Sequence, residues 1–379
     1  MMKLVRCSHL LNELRMYRKN NNSDIVFSQT DSSDEERNDT NNSEVPEDSE
    51  SDSDEQCGKK IAVNLCLLGL QVGICSVYYI FVVDHVKEII DYLFSTDLNR
   101  NNLFFIVLPF FILLTSVRSI HVVSWIAFTG NVFVVSAIII ILVQLMFEPH
   151  LPLMSLNGIT TVKDASVAAG SITYAFVAQG VVLPIENKMR SPQHMIGFCG
   201  VISTAVLFVG FLYITTGTLG YITYGDDVRG SITLNLTNSP LDLSVKVMLM
   251  LMTYCGYLIQ QYPVVEMVNK SIEPYIEEAN PTMICAIDFA IRYVNLTLSF
   301  SLAFLIPNLR KVIPFVGVTT GMMLSLVFPS LLESIAFFDV WQEKSFYKFL
   351  YNTILNIIYI ILGLFFLCTG TYSNYKAIS

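Results

Sequence analysis

The stretch SITYAFVAQGVVLPIENKMRSP, residues 171–192, decides how this sequence folds. Its first half is apolar enough to lie in lipid, but Gln179, Gly180 and Pro184 interrupt the apolar run and charged residues follow at once. Helix-weakening residues are tolerated inside a membrane only where the freed backbone groups meet protein, water or a ligand. The stretch therefore predicts a membrane helix that breaks around residues 177–180; the alternative is a proline kink near one end of an ordinary helix.

Long apolar runs without charges occupy most of the remaining sequence. The chain has 379 residues, of which 53% are hydrophobic and only 15% are charged, whereas a soluble domain has about 25% charged residues. A membrane-spanning helix needs about 20 apolar residues. Nine runs approach or exceed that length: 61–83, 103–117, 122–147, 165–185, 195–225, 247–265, 293–309, 312–332 and 349–375. None alternates like a barrel strand, so the predicted fold is an all-α, polytopic membrane protein with about nine transmembrane helices.

The distribution of Lys and Arg predicts the orientation of these helices. Positive residues are enriched on the cytosolic side of membrane proteins, and this rule places the N-terminus inside and the C-terminus outside. Asn235, in the motif NLT, then lies in an outer loop and is a candidate glycosylation site. The four-residue connection 118–121 is so short that it predicts a helical hairpin between the second and third spans.

The N-terminal part of the chain has a different composition. Residues 1–20 form a basic stub on the cytosolic side, and residues 61–379 form the transmembrane domain. Between them, residues 21–60 are rich in Ser, Asn and acidic side chains, and the stretch 24–56 alone carries a net charge of −12. Such a composition predicts disorder. The acidic segment is a candidate binding region for cytosolic partners and says nothing about a cationic substrate.

Nothing in the sequence predicts an enzyme, a metal site or a bound cofactor. The eight cysteines show no metal-type spacing, and most are predicted to be small buried side chains. The five histidines are scattered, although His85 or His150 could sense pH on the outer side. No HExxH, GxSxG or phosphate-binding loop occurs, and no nucleic-acid partner is expected. Polar residues within spans, such as Asn295, are predicted to make interhelical packing hydrogen bonds.

Several motifs resemble the amino acid/auxin permease family, and most closely its proton-coupled amino acid transporter branch. YAFVAQGVVLPIENKMRSP (174–192) resembles the sixth helix of that family. The remaining matches are LVRCSHLLNEL (4–14), GICSVYYIFVVDHVKEII (73–90), LGYITYGDDVRGSITLNL (219–236), FLIPNL (304–309) and GVTTGMMLSLVFPSLLE (317–333). The resemblance covers residues 60–379 and implies a LeuT-like bundle built from an inverted repeat, with eleven spans. The nine predicted spans would be helices three to eleven, so that the chain would be N-terminally truncated.

The resemblance also implies a substrate site at the break. Members of the branch carry an Ala-Phe-Glu-Gly pattern there; Ala175 and Phe176 keep it, but Val177 and Ala178 replace the Glu and the Gly. The positive end of a broken helix suits a substrate carboxylate. The residues predicted to bind substrate are Tyr174, Phe176, Val177, Ala178, Gln179 and Gly180 at the break, with Gln71, Tyr78 and Tyr254 as neighbouring wall positions.

The predicted function is transport of small neutral amino acids through the lipid bilayer, with protons as the coupling ion. Because Val177 is not an acid, the proton must be taken by another group. The resemblance leaves the plasma membrane and the lysosomal or vacuolar membrane as alternatives. The competing hypothesis is a membrane scaffold or nutrient sensor that does not transport and whose acidic segment recruits partners.

Overall fold

The protein is described here by a computed structural model. The residues that it describes are Lys3, 48–94, 98–156, 158, 161–178, 182, 186, 189, 191–195, 197, 199–229, 231–236, 239–276, 280–306, 308–344 and 346–378. In this part of the chain every regular element is helical and no strand occurs. The predicted all-α class is therefore confirmed.

The described residues form ten helices, numbered α1–α10 in chain order. They are Asp48–Phe94, Arg100–Thr115, Ile120–Phe147, Val162–Ala175, Val201–Tyr224, Pro240–Ile276, Pro281–Leu305, Leu309–Val316, Phe328–Lys344 and Phe346–Ile378. Two π-helical segments, Gly317–Gly321 and Met323–Val327, connect α8 to α9. Short 3-10 turns occur at Leu153–Ser155, Pro192–Met195, Gly225–Asp227 and Ile232–Leu234.

Seven of the nine predicted spans are helices long and apolar enough to cross a membrane. They are Val63–Phe94, His121–Phe147, Val201–Asp227, Pro240–Ile272, Pro281–Leu305, Leu309–Phe338 and Phe349–Asn374. The remaining two predicted spans correspond to α2, a shorter apolar helix of 16 residues, and α4, a helix of 14 residues that ends inside its apolar run.

The first helix extends further toward the N-terminus than the composition predicts. α1 begins at Asp48, so residues 48–60 are helical although the sequence predicts disorder over 21–60. Extending an existing helix adds one hydrogen bond for each residue fixed, without a new nucleation cost. Acidic side chains near a helix N-terminus also interact favourably with the helix dipole. Residues 21–47 lie outside the described part of the chain.

An aromatic core holds α1, α2 and α7 together. Tyr79 of α1 is fully buried, and its hydroxyl donates a hydrogen bond of 2.6 Å to the carbonyl of Phe104 in α2. Its ring lies 4.6 Å from the ring of Phe111 and meets Phe300 of α7 edge-on at 5.5 Å. Each large aromatic side chain buries about 150–250 Å², and this cluster therefore anchors α1 near the centre of the bundle.

The helices α2 and α3 do not form the predicted side-by-side hairpin. α2 packs on α1 and α7, whereas α3 packs along α6. The short connection between α2 and α3 is therefore a corner at which the chain changes direction. On α3, Gly130 faces α6, and a methyl group there would make an ordinary contact of 3.5 Å with the Cβ atom of Cys255. Loop length brings two helix ends together, but the faces that bury apolar surface choose the packing partners.

A buried ion pair links the start of α7 to the corner between α2 and α3. The sequence places Asp288 and Arg292 one helical turn apart, and the guanidinium Nε of Arg292 lies 3.0 Å from the Asp288 carboxylate. Arg118, in the connection after α2, approaches the same carboxylate at 3.0 Å. Arg292 also donates to the backbone carbonyl of Val117 at 3.2 Å. One carboxylate therefore holds two cationic side chains from separate elements.

Candidate substrate site

The helix α4 stops in the middle of an apolar run. It ends at Ala175, and residues 176–178 are not helical. The N–H of Phe176 donates to the carbonyl of Ile172 at 3.2 Å, and the N–H of Val177 donates to Tyr174 at 3.1 Å. These bonds tighten the last turn and end the helix.

One further hydrogen bond with helical spacing spans the chain after the interruption. The carbonyl of Ala178 accepts a hydrogen bond of 3.0 Å from the N–H of Val182, which is the spacing of an α-helix. The N–H of Ala178 donates to no backbone carbonyl of a described residue. The break thus starts at residue 176, one position before the predicted range. Gln179 and Gly180 lie outside the described residues, so the part of the prediction that concerns them is not addressed.

The π-helical segment Gly317–Gly321 packs against α4 just before the break. The two backbones touch: a methyl group on Gly317 would lie 1.9 Å from the carbonyl oxygen of Gly170. Gly321 lies beside the side chains of Thr173 and Val177, where a methyl group would be 3.4 Å and 3.8 Å from them. Glycine permits this approach because it has no Cβ. Single-turn π segments occur frequently at functional sites. This one packs directly against the end of α4 that leads into the break.

Three tyrosines surround the end of α4. The hydroxyl of Tyr174 is buried and makes no hydrogen bond with a described residue, although it lies close enough to Tyr78 and Tyr213 to interact with them electrostatically. Tyr213 of α5 donates to the carbonyl of Ala175 at 3.2 Å, and its ring meets that of Phe176 edge-on at 5.5 Å. Sequence reasoning missed Tyr213, because a tyrosine within a long apolar run carries no positional signal of its own.

A cavity of about 280 Å³ opens between the break and α5. Its lining is apolar, and no charged side chain of the described residues contributes to it. The residues around it are Ala175, Phe176, Val177, Ala178, Val182, Met195, Val201, Ile202, Ala205, Val206 and Val209. Three of the predicted site residues therefore border one cavity, while Tyr174 lies on the opposite side of the break, packed against the core.

The predicted wall positions have different surroundings. Gln71 is buried on α1, and its side-chain carbonyl makes no hydrogen bond within the described chain. Tyr78, two turns further along α1, has its ring beside Gly256 of α6, where a methyl group would lie 3.1 Å from the ring. The hydroxyl of Tyr254 instead donates to the carbonyl of Phe110 in α2 at 2.7 Å. Gln71 and Tyr78 thus lie on the face of α1 that looks toward Tyr174, whereas the hydroxyl of Tyr254 does not join this group.

The candidate glycosylation site lies in the loop after α5. Asn235 is half-buried. Its side-chain amide donates to the carbonyl of Asp227 at 2.9 Å, and its side-chain oxygen accepts the N–H of Arg229 at 2.8 Å. The side chain therefore braces the loop, and its modification stays a prediction.

Comparison with known proteins gives the broader context of this site. The family model described as "Transmembrane amino acid transporter protein" matches residues 31–376. The probable amino acid transporter skat-1 of Caenorhabditis elegans is 31% identical over 320 residues, which cover 83% of this chain and 69% of that protein. The proton-coupled amino acid transporter-like protein pathetic of Drosophila melanogaster is 31% identical over 313 residues, which cover 81% of this chain and 63% of that protein.

The match thus spans about two thirds of the length of these two relatives. The family match covers nearly all of the predicted transmembrane domain and begins within the acidic segment. These proteins are transporters rather than enzymes, in agreement with the sequence prediction. With its seven membrane-length helices, the chain is an integral, multi-pass membrane protein, and it belongs to the transmembrane amino acid transporter family.

Proposed function

We propose that this protein carries small neutral amino acids across a membrane together with protons. The observation that supports the proposal best is the interruption of α4 at residues 176–178, beside an apolar cavity of about 280 Å³. A broken membrane helix offers backbone donors at one end and backbone acceptors at the other, and transporters use such ends to hold charged substrate groups.

The zwitterionic part of the substrate fits the two ends of the break. The carboxylate binds backbone N–H groups at the break, among which is the N–H of Ala178. The ammonium group binds carbonyl groups at the C-terminal end of α4, where the helix dipole is negative. Tyr174 and Tyr213 supply hydroxyl groups at the same level of the bundle.

The side chain of the substrate occupies the apolar cavity. A buried charge without a partner is costly, and the cavity offers no charged side chain among the described residues that line it. A volume of about 280 Å³ also restricts the size of the side chain that enters. Both features favour neutral amino acids with small side chains.

Proton coupling is proposed from two observations. A relative with 31% identity is named as a proton-coupled amino acid transporter-like protein, and the motif resemblance is to the same branch. Val177 cannot carry the proton, so a group elsewhere in the chain takes it. The proposed location is the plasma membrane or a lysosomal or vacuolar membrane, which immunofluorescence of the tagged full chain with organelle markers would decide.

The experiment is uptake of radiolabelled alanine, glycine or proline by proteoliposomes that contain the full chain. We expect saturable uptake that increases when the outside is more acidic than the inside. Unlabelled neutral amino acids should inhibit this uptake by competition. Ala178→Phe fills the break and should abolish uptake. Ile214→Phe is the matched control, because Ile214 is 71% exposed on the lipid-facing side of α5, and it should leave uptake unchanged. Normal uptake by Ala178→Phe would contradict the proposed site.

The alternative function is a scaffold or sensor without transport, and the acidic segment favours it. Residues 24–56 carry a net charge of −12, a composition that suits binding to basic surfaces of cytosolic proteins. This alternative predicts no uptake by proteoliposomes. It also predicts that capture of cytosolic partners from a lysate by the full chain is lost when residues 21–47 are replaced by a neutral Gly/Ser sequence of equal length.

A further inference from the structure

Polar side chains from three helices meet in the membrane interior, away from the apolar cavity beside the break. Tyr257 and Gln261 lie one turn apart on α6, and Asn295 and Ser299 lie one turn apart on α7. Cys75 is their neighbour on α1. We call these five residues the polar junction. Each of the five side chains is almost completely buried.

Four members of the junction face one another. The side chains of Asn295, Ser299 and Tyr257 all surround the thiol of Cys75. Gln261 is fixed by its amide nitrogen, which donates to the backbone carbonyl of Arg292 at 2.8 Å. This bond leaves the side-chain oxygen of Gln261 available for another contact. The junction is thus built by packing of α1, α6 and α7 rather than by a flexible loop.

Most of the polar atoms in the junction have no hydrogen-bonding partner among the described residues. The unpaired atoms are both amide atoms of Asn295, the hydroxyl of Tyr257 and the side-chain oxygen of Gln261. The side-chain oxygen of Gln71, one turn before Cys75, is unpaired as well. Burying one polar group without a partner costs about 1–3 kcal/mol, and such groups are rare in native proteins unless water or an ion satisfies them. Several of them in one junction therefore indicate a ligand.

The chemistry of the junction favours a monovalent cation. Its unpaired groups are mainly oxygen acceptors, and Ser299 adds another because its hydroxyl hydrogen is used in a bond of 2.7 Å to the carbonyl of Asn295. All of these oxygens are neutral. Ca²⁺ and Mg²⁺ are usually held by carboxylates, and the five residues of the junction include none. An amide- and hydroxyl-lined site without a formal charge suits an ion of charge +1.

The nearest charged groups do not oppose a bound cation. Arg292 lies one turn before Asn295 on α7, but its guanidinium is 3.0 Å from the Asp288 carboxylate, which neutralises it. Arg118 contacts the same carboxylate at 3.0 Å from the other side. Two arginines share one carboxylate, so one positive charge is left over. We assign it to Arg118, because the side chain of Arg118 is 46% exposed and solvent screens its charge.

We propose that the polar junction of α1, α6 and α7 is a binding site for a monovalent alkali cation, with Na⁺ as the probe. Asn295 and Gln261 supply amide oxygens, and Tyr257 and Ser299 supply hydroxyl oxygens. The cation ties three helices of the bundle together and stabilises the folded protein by an amount that grows with the logarithm of its concentration above the dissociation constant. The proposal concerns binding and does not depend on whether the chain transports amino acids.

The test is thermal unfolding of the purified full chain in detergent, without any transport measurement. The protein is compared in choline chloride and in NaCl at equal ionic strength, with KCl and LiCl as further arms. We expect one alkali cation to raise the unfolding temperature by several degrees, by an amount that increases with its concentration. Asn295→Leu and Tyr257→Phe should abolish this shift. The control Thr297→Val should keep it, because Thr297 lies on the exposed face of α7.

Two results would overturn the proposal. If wild-type protein unfolds at the same temperature in choline chloride and in all three alkali chlorides, the junction holds water only. If the cation effect persists in both Asn295→Leu and Tyr257→Phe, the cation binds elsewhere. Should Asn295→Leu fail to fold, the wild-type titration and the milder Tyr257→Phe variant, which removes a single oxygen, still give the decision.

Discussion

Replacing Gly317 by alanine tests whether the contact between α4 and the π-helical segment positions the break. Alanine is the better helix former by about 1 kcal/mol, so helix propensity alone predicts a small stabilisation. The structure predicts the opposite, because the new methyl carbon would lie 1.9 Å from the carbonyl oxygen of Gly170. Backbone atoms cannot rotate out of the way, and the two helices must separate by more than about 1 Å to restore a normal C···O contact of roughly 3.3 Å.

Overpacking of this kind costs about 1–3 kcal/mol, and a backbone clash belongs at the upper end of that range. After the gain in helix propensity, we expect Gly317→Ala to lower the free energy of unfolding by about 2 kcal/mol. We also expect a larger loss of amino acid uptake than of folded protein, because the displaced segment supports the break.

The assay is thermal unfolding in detergent, combined with uptake by proteoliposomes normalised to folded protein. Gly217→Ala is the matched control, since Gly217 lies within α5 and a methyl group there meets nothing within 4 Å. The control should be neutral or slightly stabilising. An unfolding temperature of Gly317→Ala equal to or above that of wild type would refute the packing argument.

Three further predictions concern other parts of the molecule. Asp288→Asn removes the carboxylate that holds buried Arg292 and should lower the free energy of unfolding by about 3 kcal/mol or more. Glu266→Gln breaks an ion pair with an exposed lysine one helical turn later and should lower it by under about 1 kcal/mol. Unfolding temperatures of the two variants measure both losses. Tyr213→Phe keeps the ring contact but loses the hydrogen bond to α4, so the KM for amino acid uptake should rise severalfold with little change in stability. Glycosidase treatment should increase the electrophoretic mobility of protein from eukaryotic cells but not that of Asn235→Gln; unchanged mobility of the wild type would contradict glycosylation at this position.

Local composition carried much of the information about this fold. Apolar runs of sufficient length located the spans, and seven of them are membrane-length helices. The helix breakers after Ala175 predicted an interruption, and α4 ends at that residue. Both inferences depend on neighbouring residues only. Composition does not register that an adjoining apolar helix can extend into a polar segment, and α1 begins at Asp48, inside the segment for which composition predicts disorder.

The polar residues inside the spans show where local reasoning ends. The sequence predicts interhelical packing hydrogen bonds for them, whereas Thr297 and Ser299 donate to backbone carbonyls one turn earlier within α7 itself. Asn295 lies in the same helix but makes no side-chain hydrogen bond with a described residue. The difference depends on which face of α7 meets α1 and α6, and a single sequence does not specify that face.

The amino-acid sequence by itself determined that this chain is a helical membrane protein, where its spans lie and where one of them is interrupted. These properties follow from hydropathy and backbone chemistry, which act over one or two helical turns. Only the tertiary structure decided that Tyr213 reaches the end of α4, that Gly170 and Gly317 touch, and that α2 and α3 separate. Lateral packing joins residues far apart in the chain through shape and volume, and apolar faces of similar hydropathy do not distinguish one partner helix from another.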